Sequence, residues 1–360
     1  MKKTFFKLFI IALFLVIIAA CYDPIFDIIS KEIAIVPPFI EGSPSNFAVF
    51  ENVLYVASGM DLFSYDGTWK SASSHDGYIM YLAASAQYLY AVIAVDSSGV
   101  LRRTDFTDGW TTVMSNKNVQ SVFYENNQLF ICAMNSDGTF NIFSADDASL
   151  TTAPPESPIP GAENISFLRG VAYSGGSYYF SAGSIYTGSS ASVTAVPGGS
   201  DFYGIINLGS IMAAISRNGT LYTVTADSVT STEKNIGNKA SGAMTVFYDG
   251  SDKLLLVGRH DTNYSQQASY TNGYMEIDFN DSGFGSFREP GNFPFTTVNK
   301  NSTYVNSIGT NPVNHIIQTP ASVNSVNSER MLFASTHRNG VWRLYKDEDG
   351  NDQWNAVPQP

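Results

Sequence analysis

Three observations predict an all-β chain built from a repeated unit. Glycines recur at similar intervals, an apolar strand-like run precedes each of them, and charge is sparse while Tyr and Phe are plentiful. Of 360 residues, 20 are Tyr, 24 are Phe and 29 are Gly, and only 14% are charged. Ordinary globular chains carry roughly 25% charged residues. Short strands joined by tight turns use this composition, because aromatic residues fit a pleated surface and glycine supplies the turn conformations. The hydrophobic share of 44% suffices for a core and excludes a disordered chain.

The repeat can be read directly. Apolar runs at 54–58, 89–92, 129–132, 178–180, 211–214, 254–257 and 331–334 lead to Gly59, Gly99, Gly138, Gly183, Gly219, Gly273 and Gly340, and a second apolar pair follows each glycine. The steps between these glycines are 40, 39, 45, 36, 54 and 67. The first four cluster at the period of propeller blades, about 40–50 residues. The last two are a blade length plus an insertion. A further strand precedes each pair, as at 47–50, 119–124 and 202–207, and a fourth closes several units, as at 68–70, 110–113 and 354–357. A lone four-stranded sheet cannot bury both of its faces, whereas stacking against neighbours buries both. Residues 46–357 therefore resemble a seven-bladed β-propeller of four-stranded antiparallel blades. The spacing alone leaves six or eight blades open, because 258–330 has room for another unit. The seventh unit owns a fourth strand, so ring closure by a borrowed N-terminal strand is not expected. Asp137-Gly138, Asn218-Gly219, Asn339-Gly340 and, more weakly, Ser98-Gly99 predict two-residue hairpins with positive φ at both positions.

The N-terminus has a different character. Lys2, Lys3 and Lys7 precede an uncharged apolar run of 13 residues at 8–20. That length suits the apolar core of an export signal and falls short of the ~20 residues of a spanning helix. The run ends in Ile18-Ala19-Ala20-Cys21. This resembles the lipobox of bacterial lipoproteins, with Ile18 where Leu is commonest. The resemblance implies cleavage after residue 20, a diacylglyceryl thioether on Cys21, and a fatty-acyl group such as palmitate on the new amino terminus. Two or three chains together hold a protein to a bilayer, while one does so only marginally. The expected location is the cell envelope, with the chain membrane-anchored and facing the periplasm or the exterior. Residues 21–45, with Pro24, Pro37, Pro38 and Pro44, read as the lipidated cysteine and its tether.

The formal charge is −12, and past the N-terminal segment the nearest thing to a Lys/Arg cluster is Arg102-Arg103. Nucleic acid is excluded as a partner because phosphate binding needs a basic footprint. Adhesion to anionic lipid by charge is disfavoured for the same reason.

Catalytic signatures are missing. His75, His260, His315 and His337 show no metal-ligand spacing with one another or with Cys. No nucleophile elbow, phosphate loop or dinucleotide fingerprint occurs. Ser64-Tyr65-Asp66-Gly67-Thr68-Trp69 is similar to the Asp-box of sialidase propellers but lacks one residue, and it reads better as a hairpin turn. Cys132 lies in an apolar run at 129–133 and reads as a buried, inert thiol. No cofactor and no metal are expected. The candidate ligand contacts lie in the insertion 258–273, where His260, Asp261, Tyr264, Gln267, Tyr270 and Asn272 mix polar and aromatic groups on a long loop. The expected function is a monomeric, non-enzymatic binding or interaction module for a protein or glycan. The alternative is an exported carbohydrate-active hydrolase or lyase, which would place two carboxylates at the propeller mouth. The side chains lining the central channel decide between them. Cys21→Ser is expected to abolish lipidation and leave an unprocessed or soluble chain; unchanged detergent partitioning and unchanged mass would refute the assignment.

Overall fold

The computed structural model describes residues 39–147, 150, 155–237, 239–249, 252–260, 273–288, 308, 312–323, 329–346 and 352–357. Within them the chain forms seven antiparallel sheets, each made of strands consecutive in sequence. The fold is a seven-bladed β-propeller, as the repeat predicts. The innermost strands are Ala48–Phe50, Tyr78–Ala84, Asn118–Glu125, Gly170–Ser174, Phe202–Asn207, Ala240–Asp249 and Val313–Gln318, and each opens its blade.

Seven hydrophobic clusters hold the ring, one at each junction between neighbouring blades. Blades two and three share Tyr90, Val92, Val122 and Ile131, for example, and blades five and six share Ile215, Leu221, Leu255 and Ile277. Every second strand alternates its side chains between the two junctions it separates. In blade three, Leu129 and Ile131 face blade two, while Phe130 and Cys132 face blade four. This two-sided burial explains why the second strands read as continuous apolar runs in the sequence. The junction between blades seven and one closes the ring in the same way, with Phe333, Met331 and Val341 packed on Leu54, Tyr65 and Trp69. Phe333 meets Tyr65 at 5.2 Å and Trp69 at 5.6 Å between ring centroids, both edge to face. Blade seven is completed by its own fourth strand, Asp352–Ala356. Residues 39–42 add a clasp across the seam: the Phe39 N–H donates to the Val357 carbonyl at 2.8 Å, the Gly340 N–H donates to the Gly42 carbonyl at 2.9 Å, and Ile40 is fully buried.

Two details differ from expectation. Blade three has three regular strands. The fourth place is taken by an irregular segment in which the Ile159 N–H donates to the Ile142 carbonyl at 2.8 Å, while Phe140 and Ile165 exchange both main-chain bonds. Pro158 and Pro160 cannot donate to a ladder, so a regular strand does not form there. The turns also differ. Positive φ at both turn positions occurs at Glu51-Asn52, Asp96-Ser97, Asn126-Asn127 and Gly175-Gly176, whereas in Asp137-Gly138, Asn218-Gly219 and Asn339-Gly340 only the glycine is left-handed. The Gly138 N–H donates to Asn135 and the Gly219 N–H to Ser216. This is the pattern of a longer loop ending in a left-handed residue rather than a two-residue turn. Ser98-Gly99 is not a turn at all, because both residues lie in the strand Ser98–Thr104. A Cβ on Gly99 would sit 1.5 Å from the Val119 carbonyl oxygen, so this glycine allows two blades to touch rather than the chain to bend.

Two outcomes are expected. Phe333→Ala should lower stability by about 3–5 kcal/mol, read from the chemical-denaturation midpoint, because it empties the closing junction. Gly99→Ala should also destabilise, since the obstacle is main chain and cannot rotate away. A stability equal to that of the parent protein in either variant would contradict this packing.

Candidate functional site in the central channel

An innermost strand bonds only to the second strand of its blade, so its other edge faces the ring axis. The first strand of every repeat therefore supplies the channel wall. Amide side chains tie these strands to one another. Asn46 brackets blade two, donating to the Leu82 carbonyl at 2.7 Å and accepting the Leu82 N–H at 2.8 Å. Gln318 does the same with the main chain of Tyr248 at 3.1 and 2.9 Å, and Asn207 donates to the Tyr173 carbonyl at 2.7 Å. At blades five and six the approach is closer still. Gly242 has φ +92°, and a Cβ there would lie 2.2 Å from the Tyr203 carbonyl oxygen, so only glycine permits this contact.

These walls enclose a cavity of about 480 Å³, within the range of small-ligand sites. Its aromatic members are Phe47, Tyr81, Phe123, Phe167, Tyr203 and His315, and Asn46, Ser241, Thr245 and Asn314 add polar groups. The described lining includes one cation, Arg169, and no Asp or Glu. The Arg169 guanidinium lies over the Tyr203 ring at 3.7 Å and 5.4 Å from the Phe167 centroid. Arg217, exposed at the rim, comes to 5.8 Å from the same Tyr203 ring. Tyr81 leans on Phe123 at 5.0 Å and meets His315 edge-on at 6.2 Å.

Burial disfavours the charged forms of the titratable rings in the wall. It pushes the Tyr81 phenol up and the His315 imidazole down to about 4. Both are uncharged at neutral pH, which leaves Arg169 as the charge of the described lining.

Of the residues proposed from sequence, His260 follows the strand Asp252–Arg259 at the rim and does not line the cavity. Its N–H donates to the Lys239 carbonyl at 2.9 Å, and its ring stands 5.2 Å from that of His337. The fold thus pairs two histidines that sequence spacing does not connect. Asp261, Tyr264, Gln267, Tyr270, Asn272 and Cys21 lie outside the described residues. His75 packs edge-on against Trp110 at 4.8 Å. Cys132 is fully buried, and burial lifts its thiol to about 11, so it is inert as expected. The Asp-box-like segment is the hairpin between the third and fourth strands of blade one, with Asp66 paired to Lys70 at 2.8 Å. Among the described residues no group of three His, Cys, Asp or Glu could hold a metal ion. The residues that sequence reasoning missed are those of the channel wall, notably Arg169, Tyr203, Tyr81 and His315. A signal for them existed, because they lie on or beside the first strands of their repeats.

His315 provides a pH test. Its pKa falls from 6.5 to about 4 on folding, so between these values the unfolded chain binds more protons. The contribution to stability is complete above pH ~6.5 and is lost as pH falls toward 4, amounting to on the order of 3 kcal/mol. His315→Gln should flatten the stability profile across this window in denaturation measured at stepped pH; an unchanged slope would contradict the buried neutral imidazole.

No protein-family model matches the chain, and no curated protein matches it by sequence. Solved structures do. YCF48 bound to a D1 peptide matches with a TM-score of 0.53 and 9% identity over 87% of this chain and 94% of that one. PorZ, a surface component of the type-IX secretion system of Porphyromonas gingivalis, matches with a TM-score of 0.51 and 12% identity over 90% of this chain and 39% of that one. The WD40 propeller domain of Doa1 matches with a TM-score of 0.53 and 8% identity, covering 87% and 95%. At these identities the likeness shows the fold: the chain is similar to β-propellers of otherwise different proteins.

Proposed function

We propose that this chain is an envelope protein, anchored through acyl chains on Cys21, whose propeller binds another protein by taking a segment of it into the central channel. The observation that carries the binding reading is the wall itself. Its described side chains are aromatic, aliphatic, amide and hydroxyl groups around a single guanidinium, with no carboxylate. Glycoside cleavage by the usual route needs two carboxyl groups facing one bond, so the lining favours binding over the hydrolase or lyase alternative. A protein segment suits the channel because each innermost strand has a ladder partner on one side only, and outside the amide clamps the other edge can take an extended peptide as an added strand. YCF48, which shares the fold, is bound to a peptide in its structure, which supports the reading by analogy of scaffold only. The anchor rests on the Ile18-Ala19-Ala20-Cys21 motif behind its apolar run.

The test is a photo-crosslinking amino acid placed at Phe123, in the wall, and separately at Lys70, exposed on the outermost strand of blade one, in whole cells. Discrete protein adducts from position 123 are expected. Adducts from position 70 alone, or from neither, would count against the channel as the binding site.

A further inference from the structure

We propose that Arg169 and Arg217, on either side of Tyr203, form a subsite for a carboxylate carried by the protein segment that enters the channel. The inference rests on the channel-binding reading above and adds the chemical class of the group recognised there.

The argument starts from charge. The chain has 32 acidic and 20 basic residues, so a basic side chain has many acids available as partners. Arg102 shows the ordinary outcome, with both terminal nitrogens on Asp76 at 2.8 and 3.0 Å. Arg169 departs from it. It is half-buried in the cavity wall, and among the described residues its guanidinium has only aromatic neighbours, Tyr203 at 3.7 Å and Phe167 at 5.4 Å. No ion pair or side-chain hydrogen bond joins it to a described residue. Stacking occupies the flat face of a guanidinium and leaves the N–H donors around its edge free.

The second guanidinium makes the arrangement directional. Arg217 follows the strand Met212–Ser216, and its cation stands 5.8 Å from the centroid of the same Tyr203 ring. The nearby acid, Asp201, accepts the Arg217 N–H through its main-chain carbonyl at 2.8 Å and makes no ion pair with either arginine. Two like charges gathered at one ring repel each other unless an anion lies within reach of both. Their positions span the route inward, with Arg217 exposed at the rim and Arg169 in the wall. In an otherwise acidic protein this produces a local positive field at the mouth, which raises the encounter rate of a negatively charged segment. Beyond Arg169 the described lining is uncharged, so a carboxylate that enters stops at the guanidinium fork, whose paired donors match its two oxygens.

A peptide carboxylate fits this surface better than the carboxylate of an acidic sugar. Sugars rest their flat faces on open aromatic rings, but here Tyr203 carries Arg169, and Tyr81 leans on both Phe123 and His315. Peptide main chain, in contrast, finds strand edges with no ladder partner between the amide clamps.

The test uses the full lipidated chain in detergent. The probes are an acetylated, amidated pentapeptide of alternating Gly and Glu, the same peptide with Gln for Glu, and tetragalacturonate, all measured by calorimetry. The Glu peptide is expected to bind at least tenfold more tightly than the Gln peptide. Arg169→Gln should lose at least tenfold in affinity for the Glu peptide and Arg169→Lys several-fold, because a point charge lacks the fork. Arg217→Gln should lose less. Arg330→Gln, which removes a cation stacked on Tyr248 away from the cavity, should leave binding unchanged. Thermal melts identify any variant that fails to fold, and the lysine variant keeps the comparison valid if the glutamine variant does. Equal binding of the Glu and Gln peptides, undiminished binding by folded Arg169→Gln, or a preference for tetragalacturonate would overturn the carboxylate subsite. Undiminished crosslinking from position 123 in Arg169→Gln would likewise remove the subsite and leave the channel reading intact. Absence of crosslinks in the parent protein would remove the channel reading itself.

Discussion

The structure depends on apolar contact between sheets that share no strand ladder. Main-chain bonds between blades are single links, such as Ile79 to Gly59, Phe202 to Gly183 and Ala240 to Arg217, and most of what joins the blades is burial of side chains in seven wedges. Such contact is non-directional and scales with area, which is why the repeats diverge so far in sequence. A wedge accepts Tyr90 and Ile131 at one junction and Leu332 and Trp354 at another, provided the volume is filled. Directional interactions enter at the inner rim, where Asn46, Asn207 and Gln318 fix neighbouring strands against each other. The channel thus receives its geometry from polar clamps and its stability from the apolar wedges behind them.

Much of the architecture was legible because it follows from local rules. The second strands announce themselves as unbroken apolar runs, since both of their faces are buried, and the period between them matches the residues needed for four short strands. The turns were less legible. Asn-Gly and Asp-Gly pairs are compatible with several loops, and the neighbouring ladder decides which one forms: Asn126-Asn127 and Asp96-Ser97 take the left-handed pair of positions, while Gly138 and Gly219 end longer loops. Gly99 was misread for a related reason. A glycine needed for close approach and a glycine needed for a bend look alike in a sequence, and the two differ only in what stands opposite, here the carbonyl of Val119.

The binding site was less legible than the fold. The long polar insertion after Arg259 is the conspicuous feature of the sequence, but His260, its described member, sits outside the cavity. Arg169 and Tyr203 are 34 positions apart and unremarkable in isolation. They meet because both lie at the entrance of an inner strand, Arg169 just before Gly170–Ser174 and Tyr203 within Phe202–Asn207, and adjacent blades bring these entrances side by side. In a repeat fold the informative comparison is between the same position of successive units. Read that way, the chemistry collected at strand entrances emerges as a ring.

The clasp at residues 39–42 has a mechanical consequence. The ring is covalently continuous everywhere except at the seam between its first and last blades, and residues 39–42 cross that seam through a few main-chain bonds to Gly340, Val341 and Val357. Tension applied from the amino-terminal side loads these bonds before it reaches any wedge. Peeling them one at a time uncovers Ile40 and, behind it, the Phe333 junction, so the place where the chain enters is also where force would first open the circle.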